Sequence, residues 1–188
     1  SWARASSWAL ERGPPHLSER KRRASAFRSV QREQMGRRQD LNGLWNLEST
    51  EGIDGMLIDA GVGWLKRKAA AQVLAASKNP RRILQKSGGD ECRIEVCRKG
   101  EWTMEPGDLF ADGQKRDYKD GWSKGWWDDD GWLCIEINNQ MGHSLSRYGL
   151  TDANTMEMRV SAVLDAGPSG NAMVRKYSRD GEPLAAVP

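Results

Sequence analysis

The fold that the sequence predicts is mainly β: an up-and-down antiparallel barrel of about ten strands, with a helix-turn-helix lid after the first strand. Three observations carry this expectation. Turn signals recur beyond Pro80, at Ser87-Gly88-Gly89-Asp90, Arg98-Lys99-Gly100, Pro106-Gly107-Asp108, Asp112-Gly113, Asp120-Gly121, Asp128-Asp129-Asp130-Gly131, Gln140-Met141-Gly142 and Thr151-Asp152-Ala153-Asn154. They cut the chain into segments of strand length. Apolar residues alternate in the later segments: Leu133, Ile135 and Ile137 share one face, as do Met156, Met158, Val160 and Ala162, while Glu136, Glu157 and Arg159 take the other. That is the pattern of a sheet wet on one side. Ahead of the strands, Ile53, Met56, Leu57 and Ala60 lie at helical spacing, and after Gly61-Val62-Gly63 the pattern resumes with Leu65, Ala69, Gln72, Val73 and Ala76. A closed barrel is the arrangement that leaves many short strands without exposed edges.

Taken in order, residues 1–39 form a basic arm rich in Arg, Ser and Ala, with ten Lys/Arg against three Asp/Glu and only scattered apolar side chains. It is read as disordered, or as a basic helix over 17–38 that lies on an anionic surface. The rest of the chain carries nineteen basic and twenty-three acidic residues, so the net charge of +3 belongs to the arm. No nucleic-acid partner follows from the overall basicity. Leu41, Leu44, Trp45 and Leu47 open the folded part as a short extended segment, and Ser49-Thr50-Glu51 reads as a helix start. The barrel is expected over 40–180 and a flexible tail over 181–188.

Several chemistries are excluded or weak. Cys92, Cys97 and Cys134 are odd in number and contain no CxxC pair, so neither a disulfide framework nor a zinc site is indicated, and a reducing, cytoplasmic compartment fits. Gly142-His143-Ser144-Leu145-Ser146 nearly spells a nucleophile elbow but lacks the final glycine, and consecutive His143 and Ser144 on a strand point to opposite faces. Asp128-Asp129-Asp130-Gly131 lacks the alternating ligands and terminal glutamate of a calcium loop. No enzyme activity, cofactor or metal is expected.

The wording of certain segments resembles the intracellular lipid-binding (fatty-acid-binding) proteins of the calycin superfamily. Asn42-Gly43-Leu44-Trp45-Asn46-Leu47 is similar to that family's opening Gly-x-Trp strand, Gly61-Val62-Gly63-Trp64-Leu65-Lys66-Arg67-Lys68 to its helix pair, and Val174-Arg175-Lys176-Tyr177 to its closing strand. The resemblance spans about residues 41–179 and is loose between 100 and 131. It implies non-enzymatic binding and transport of a long-chain fatty acid or similar hydrophobic carboxylate by a monomer. The alternative is a barrel with a degenerate cavity that serves as a scaffold or docking module for acidic membranes or proteins. In the first case Arg175 and Tyr177, two apart on one strand, face inward with Met173, and Arg147 matches the family's second ligand-directed arginine. Buried guanidinium groups need an anionic partner, which the ligand carboxylate supplies. Ile53, Met56, Val62, Leu145, Met156, Met158 and Met173 are expected to line the cavity. Lys66, Arg67 and Lys68 are expected at the portal, in transient contact with an anionic membrane surface.

Overall fold

The computed structural model describes residues 38–181 apart from Ser87, and for 105–108 the backbone alone. The expectations for residues 1–37 of the arm and for 182–188 of the tail lie outside the described residues. The chain runs β1 (Gly43–Glu51), α1 (Ile53–Asp59), α2 (Trp64–Ala76), β2 (Arg81–Gln85), β3 (Glu91–Arg98), β4 (Glu101–Phe110), β5 (Lys115–Tyr118), β6 (Gly121–Trp127), β7 (Leu133–Asn139), β8 (Gly142–Asp152), β9 (Thr155–Leu164) and β10 (Gly167–Asp180). All ten strands join one antiparallel sheet in the order β4-β3-β2-β1-β10-β9-β8-β7-β6-β5. This is an up-and-down meander whose last strand returns to pair with the first, Trp45 opposite Arg179 and Leu47 opposite Tyr177. No described helix is long and apolar enough to cross a membrane.

The sheet is not closed, which corrects the expectation that every edge would be paired. β4 and β5 end the order on opposite sides and share no ladder among the described residues. The physical reason is the path between them. Phe110 at the end of β4 passes directly over Gly125 of β6, where an added Cβ would lie 2.7 Å from the Phe110 carbonyl oxygen. Gly113 N–H then donates to the Gly125 carbonyl at 2.8 Å. The connection thus reaches β6 before β5 starts, and β5 has only four residues.

Two local expectations also change. Ser49-Thr50-Glu51 does not start a helix: these residues extend β1, paired with Lys176, Arg175 and Val174. The helix begins instead after Gly52, which takes the left-handed conformation at φ 70° that a residue with a Cβ adopts reluctantly. Pro106-Gly107-Asp108 is not a hairpin turn: β4 runs on through it with a bulge between Met104 and Asp108, since Arg93 pairs with Asp108 and Glu95 already with Met104. The Lys99-Gly100 turn is a hairpin turn as read, with both residues at positive φ.

The interior has two apolar regions. The larger fills the barrel's base around Trp45, Ile83, Ile94, Leu133, Ile135, Met156 and Tyr177. Trp45 is fully buried and donates its indole N–H to the Leu41 carbonyl at 2.9 Å. The smaller lies beneath the helices, where Ile53 and Leu57 pack on Met173, with Val62, Ala70 and Leu74 at its margin.

Candidate functional site

Between the packed base and the helices lies a cavity of about 610 Å³. Its apolar wall comes from Ile135 and Ile137 of β7 and from Met158, Val160 and Ala162 of β9, with Met56, Leu57 and Val62 from the lid. These strand residues reach it because alternation sends every second side chain inward. The rim is formed by Asp59 and Ala60 at the end of α1 and by the turns after β3, β7 and β9, through Arg98, Met141 and Leu164. Met141 is 94% exposed.

At one end the cavity meets a buried cationic and phenolic cluster, of which Arg81 and Tyr148 line it and Arg175 and Tyr177 stand behind the lining. Arg81, the first residue of β2, is buried and points inward with Ile83 and Gln85. Its Nε–H donates to the Tyr177 hydroxyl at 3.0 Å and its Nη1 to the Tyr148 hydroxyl at 3.3 Å. Tyr177 passes its own O–H to the Met158 sulfur at 3.7 Å. Arg175, two residues before Tyr177 on β10 and opposite Met158, is only 7% exposed. Among the described residues its guanidinium has no hydrogen-bond or ion-pair partner, and its Nε is buried unpaired. An uncompensated buried guanidinium is unfavourable by several kcal/mol unless an anion or internal water meets it.

The expectation for Arg147 and Leu145 is corrected. On β8 the inward row is Ser144, Ser146 and Tyr148, which line the cavity, and Leu145 and Arg147 occupy the other face. Arg147 forms a short ion pair with Asp128, and its guanidinium lies 5.4 Å from the centre of the Trp132 ring. Burial pulls the Arg147 pKa down, but the Asp128 hydrogen bond and charge outweigh it and leave the group above its ordinary value. The facing is decided by bulk: Trp132 covers Gly149 on the outside, where a Cβ would come within 2.3 Å of its ring. With Gly149 outward, Tyr148 and Leu150 must turn inward to the core, and a one-residue change of facing carries the whole strand with it.

The remaining expected residues divide. Met56, Val62 and Met158 line the cavity. Ile53 and Met173 lie beneath the lid, in the apolar layer that the cavity abuts. Met156 is fully buried in the base. Lys66 and Lys68 are exposed on α2, and Arg67 bonds Asp54 of α1 at 2.8 Å, so that it ties the helices together. None of the three lines the cavity. Sequence reasoning missed Arg81 and Tyr148. For Arg81 a signal existed: alternation with Ile83 two residues on puts it on the apolar face of β2.

A ten-stranded antiparallel meander with two helices after the first strand and a lidded interior cavity is the fold of the intracellular lipid-binding proteins. Its solved neighbours are similar over the barrel at low sequence identity. A REP1-NXSQ fatty acid transporter matches at 22% identity and TM-score 0.54, over 76% of this chain and 98% of that one. A Schistosoma mansoni fatty acid binding protein in complex with arachidonic acid matches at 14% identity and TM-score 0.56, over 77% and 99%. Human cRBP IV matches at 17% identity and TM-score 0.51, over 76% and 99%. No family model matches the sequence, and no curated protein does so either.

Proposed function

We propose that the chain is a non-enzymatic carrier that holds a long-chain fatty acid or similar hydrophobic carboxylate inside the barrel, with its carboxylate toward Arg175 and Arg81. The observation that carries this reading is Arg81, a buried guanidinium that lines an apolar-walled cavity of about 610 Å³; Arg175, 7% exposed and unpartnered among the described residues, lies behind that lining, opposite the wall residue Met158. A carboxylate supplies the missing charge, and its planar pair of oxygens suits a guanidinium fork. Arg81 takes the place expected of Arg147, with Tyr177 and Tyr148 orienting it. The apolar wall from Ile135 to Ala162 then receives the acyl chain. Three free cysteines fit a cytoplasmic setting, and a monomer suffices, because the site is built within one chain.

Titration calorimetry with palmitic acid and with its methyl ester tests the assignment. Arg175→Ala and Arg81→Ala are each expected to weaken binding of the acid by roughly 10- to 100-fold and that of the ester far less. Arg147→Ala is expected to leave both affinities unchanged, because its charge is already spent on Asp128. Unaltered acid affinity in both Arg175→Ala and Arg81→Ala would remove the reading.

Ligand exchange through the lid is the second part of the proposal. α2 buries none of its residues and exposes Trp64 (64%), Leu65 (75%) and Val73 (69%) beside Lys66 and Lys68. Exposed apolar residues flanked by lysines suit an anionic bilayer, at about 1 kcal/mol per charge near the surface. Transfer of a fluorescent fatty acid to vesicles is expected to be faster for anionic than for neutral lipid, to slow with salt, and to lose both dependences when Lys66 and Lys68 are changed to Glu. A rate indifferent to vesicle charge would show that these lysines only solvate the helix.

A further inference from the structure

The cavity is more polar along one wall than an unsubstituted acyl chain requires. β8 presents the hydroxyls of Ser144, Ser146 and Tyr148 inward at alternate positions. Tyr148 meets Arg81. The two serine hydroxyls form no hydrogen bond with any described residue, although Ser146 is only 9% exposed. Around them stand Ile135, Ile137, Met158, Val160 and Ala162, none of which has a polar side-chain group to offer. Both hydroxyls open onto the cavity and are not sealed in the wall, so water can meet them while the cavity is empty, and a ligand that fills it must either satisfy them or leave them unpaired, which is unfavourable. An aliphatic chain would leave both unsatisfied or strand water beside them.

The geometry points to a ligand that is itself oxygenated along its chain: a long-chain hydroxy acid, whose hydroxyl meets Ser146 or Ser144 while its carboxylate is held at the Arg81 end. This inference rests on the carboxylate reading above and specifies the ligand class for the same site. Two residues along a strand span roughly 6.7 Å. A chain anchored beside Tyr148 therefore brings a carbon part-way along it to Ser146, and one about twice as far to Ser144. A hydroxyl serves either serine because both partners can donate and accept. A site arranged to hydrogen-bond a hydroxyl discriminates against the analogue that lacks it, since the protein groups are then left dry and unpaired.

The experiment compares palmitic acid with its derivatives hydroxylated nearer to and farther from the carboxylate, by titration calorimetry on the full chain. At least one hydroxy acid is expected to bind roughly tenfold more tightly than palmitic acid. Ser146→Ala is expected to abolish the preference for the nearer hydroxyl and Ser144→Ala that for the farther one, with palmitic acid bound more tightly in both because the unmet hydroxyl is gone. These substitutions remove one oxygen each from a cavity wall, and thermal melts matching the wild type confirm that the barrel is intact. Equal affinity for all three acids, or a preference that survives in the Ser144→Ala/Ser146→Ala double variant, overturns the hydroxy-acid inference and leaves the carrier standing. No binding of any of the acids overturns both.

Discussion

Trp45→Ala is expected to destabilise the barrel by about 3–5 kcal/mol, the range for emptying a buried tryptophan site. The indole is fully buried at the base, bonds the Leu41 carbonyl at 2.9 Å, and is capped by the Arg179 guanidinium 4.3 Å from its ring centre. It thus joins the segment ahead of β1 to the strand that closes the meander on β10. Trp45→Phe separates packing from hydrogen bonding, because the phenyl ring fills most of the volume but leaves the Leu41 carbonyl without its donor, at a cost of about 1–3 kcal/mol. Urea denaturation of both variants measures the two terms. A loss below about 1 kcal/mol for Trp45→Ala would mean that the base of the barrel collapses around the gap and that Trp45 is no keystone.

Gly52→Ala is expected to cost about 2–4 kcal/mol, concentrated on the lid. Gly52 sits at φ 70°, and a Cβ there would lie 2.2 Å from the carbonyl oxygen of Ala172 on β10. Neither backbone can yield without moving α1, whose Ile53 and Leu57 rest on neighbouring Met173. Gly61→Ala is the matched control. Gly61 has the same backbone sign, at φ 71°, but open space around its Cβ position, so only the conformational cost of about 1–2 kcal/mol applies. Hydrogen exchange should show α1 amides losing protection in Gly52→Ala while those of β7 to β9 keep theirs. Equal behaviour of the two variants would show that the lid adjusts freely and that the clash is relieved at no cost.

The helix pair and the late strands were legible because each carries a period with one reading. Ile53, Met56, Leu57 and Ala60 repeat at helical spacing, and the Gly61-Val62-Gly63 break falls between α1 and α2. Leu133-Ile135-Ile137 and Met156-Met158-Val160-Ala162 alternate against charged residues, so only one face can be buried, and these residues do reach the core or the cavity. β8 offered no such contrast. Its two faces read Ser144-Ser146-Tyr148 and Leu145-Arg147-Gly149, each mixing polar and larger groups, and hydropathy does not choose between them. The family resemblance favoured Arg147 inward; Trp132 over Gly149 and the Asp128 carboxylate turned it outward. The bulge between Met104 and Asp108 was hidden for a similar reason, since Pro-Gly-Asp suits a turn and a bulge alike.

By itself, then, the sequence determined the class of fold, the order of strands and helices, and that Arg175 and Tyr177, two residues apart on one strand, share a face. These follow from local period and turn chemistry, which act over a few residues. Only the tertiary structure decided that the sheet stays open between β4 and β5, that Arg81 and Tyr148 complete the cationic cluster, and that the β8 serines face the cavity. Each of these depends on contacts between residues far apart in the chain: Phe110 over Gly125, Arg81 on Tyr177, and the facing that Trp132 imposes on β8. A strand's own residues do not encode which neighbour will occupy the space beside them, and it is that occupancy which fixes the facing and so the composition of the site.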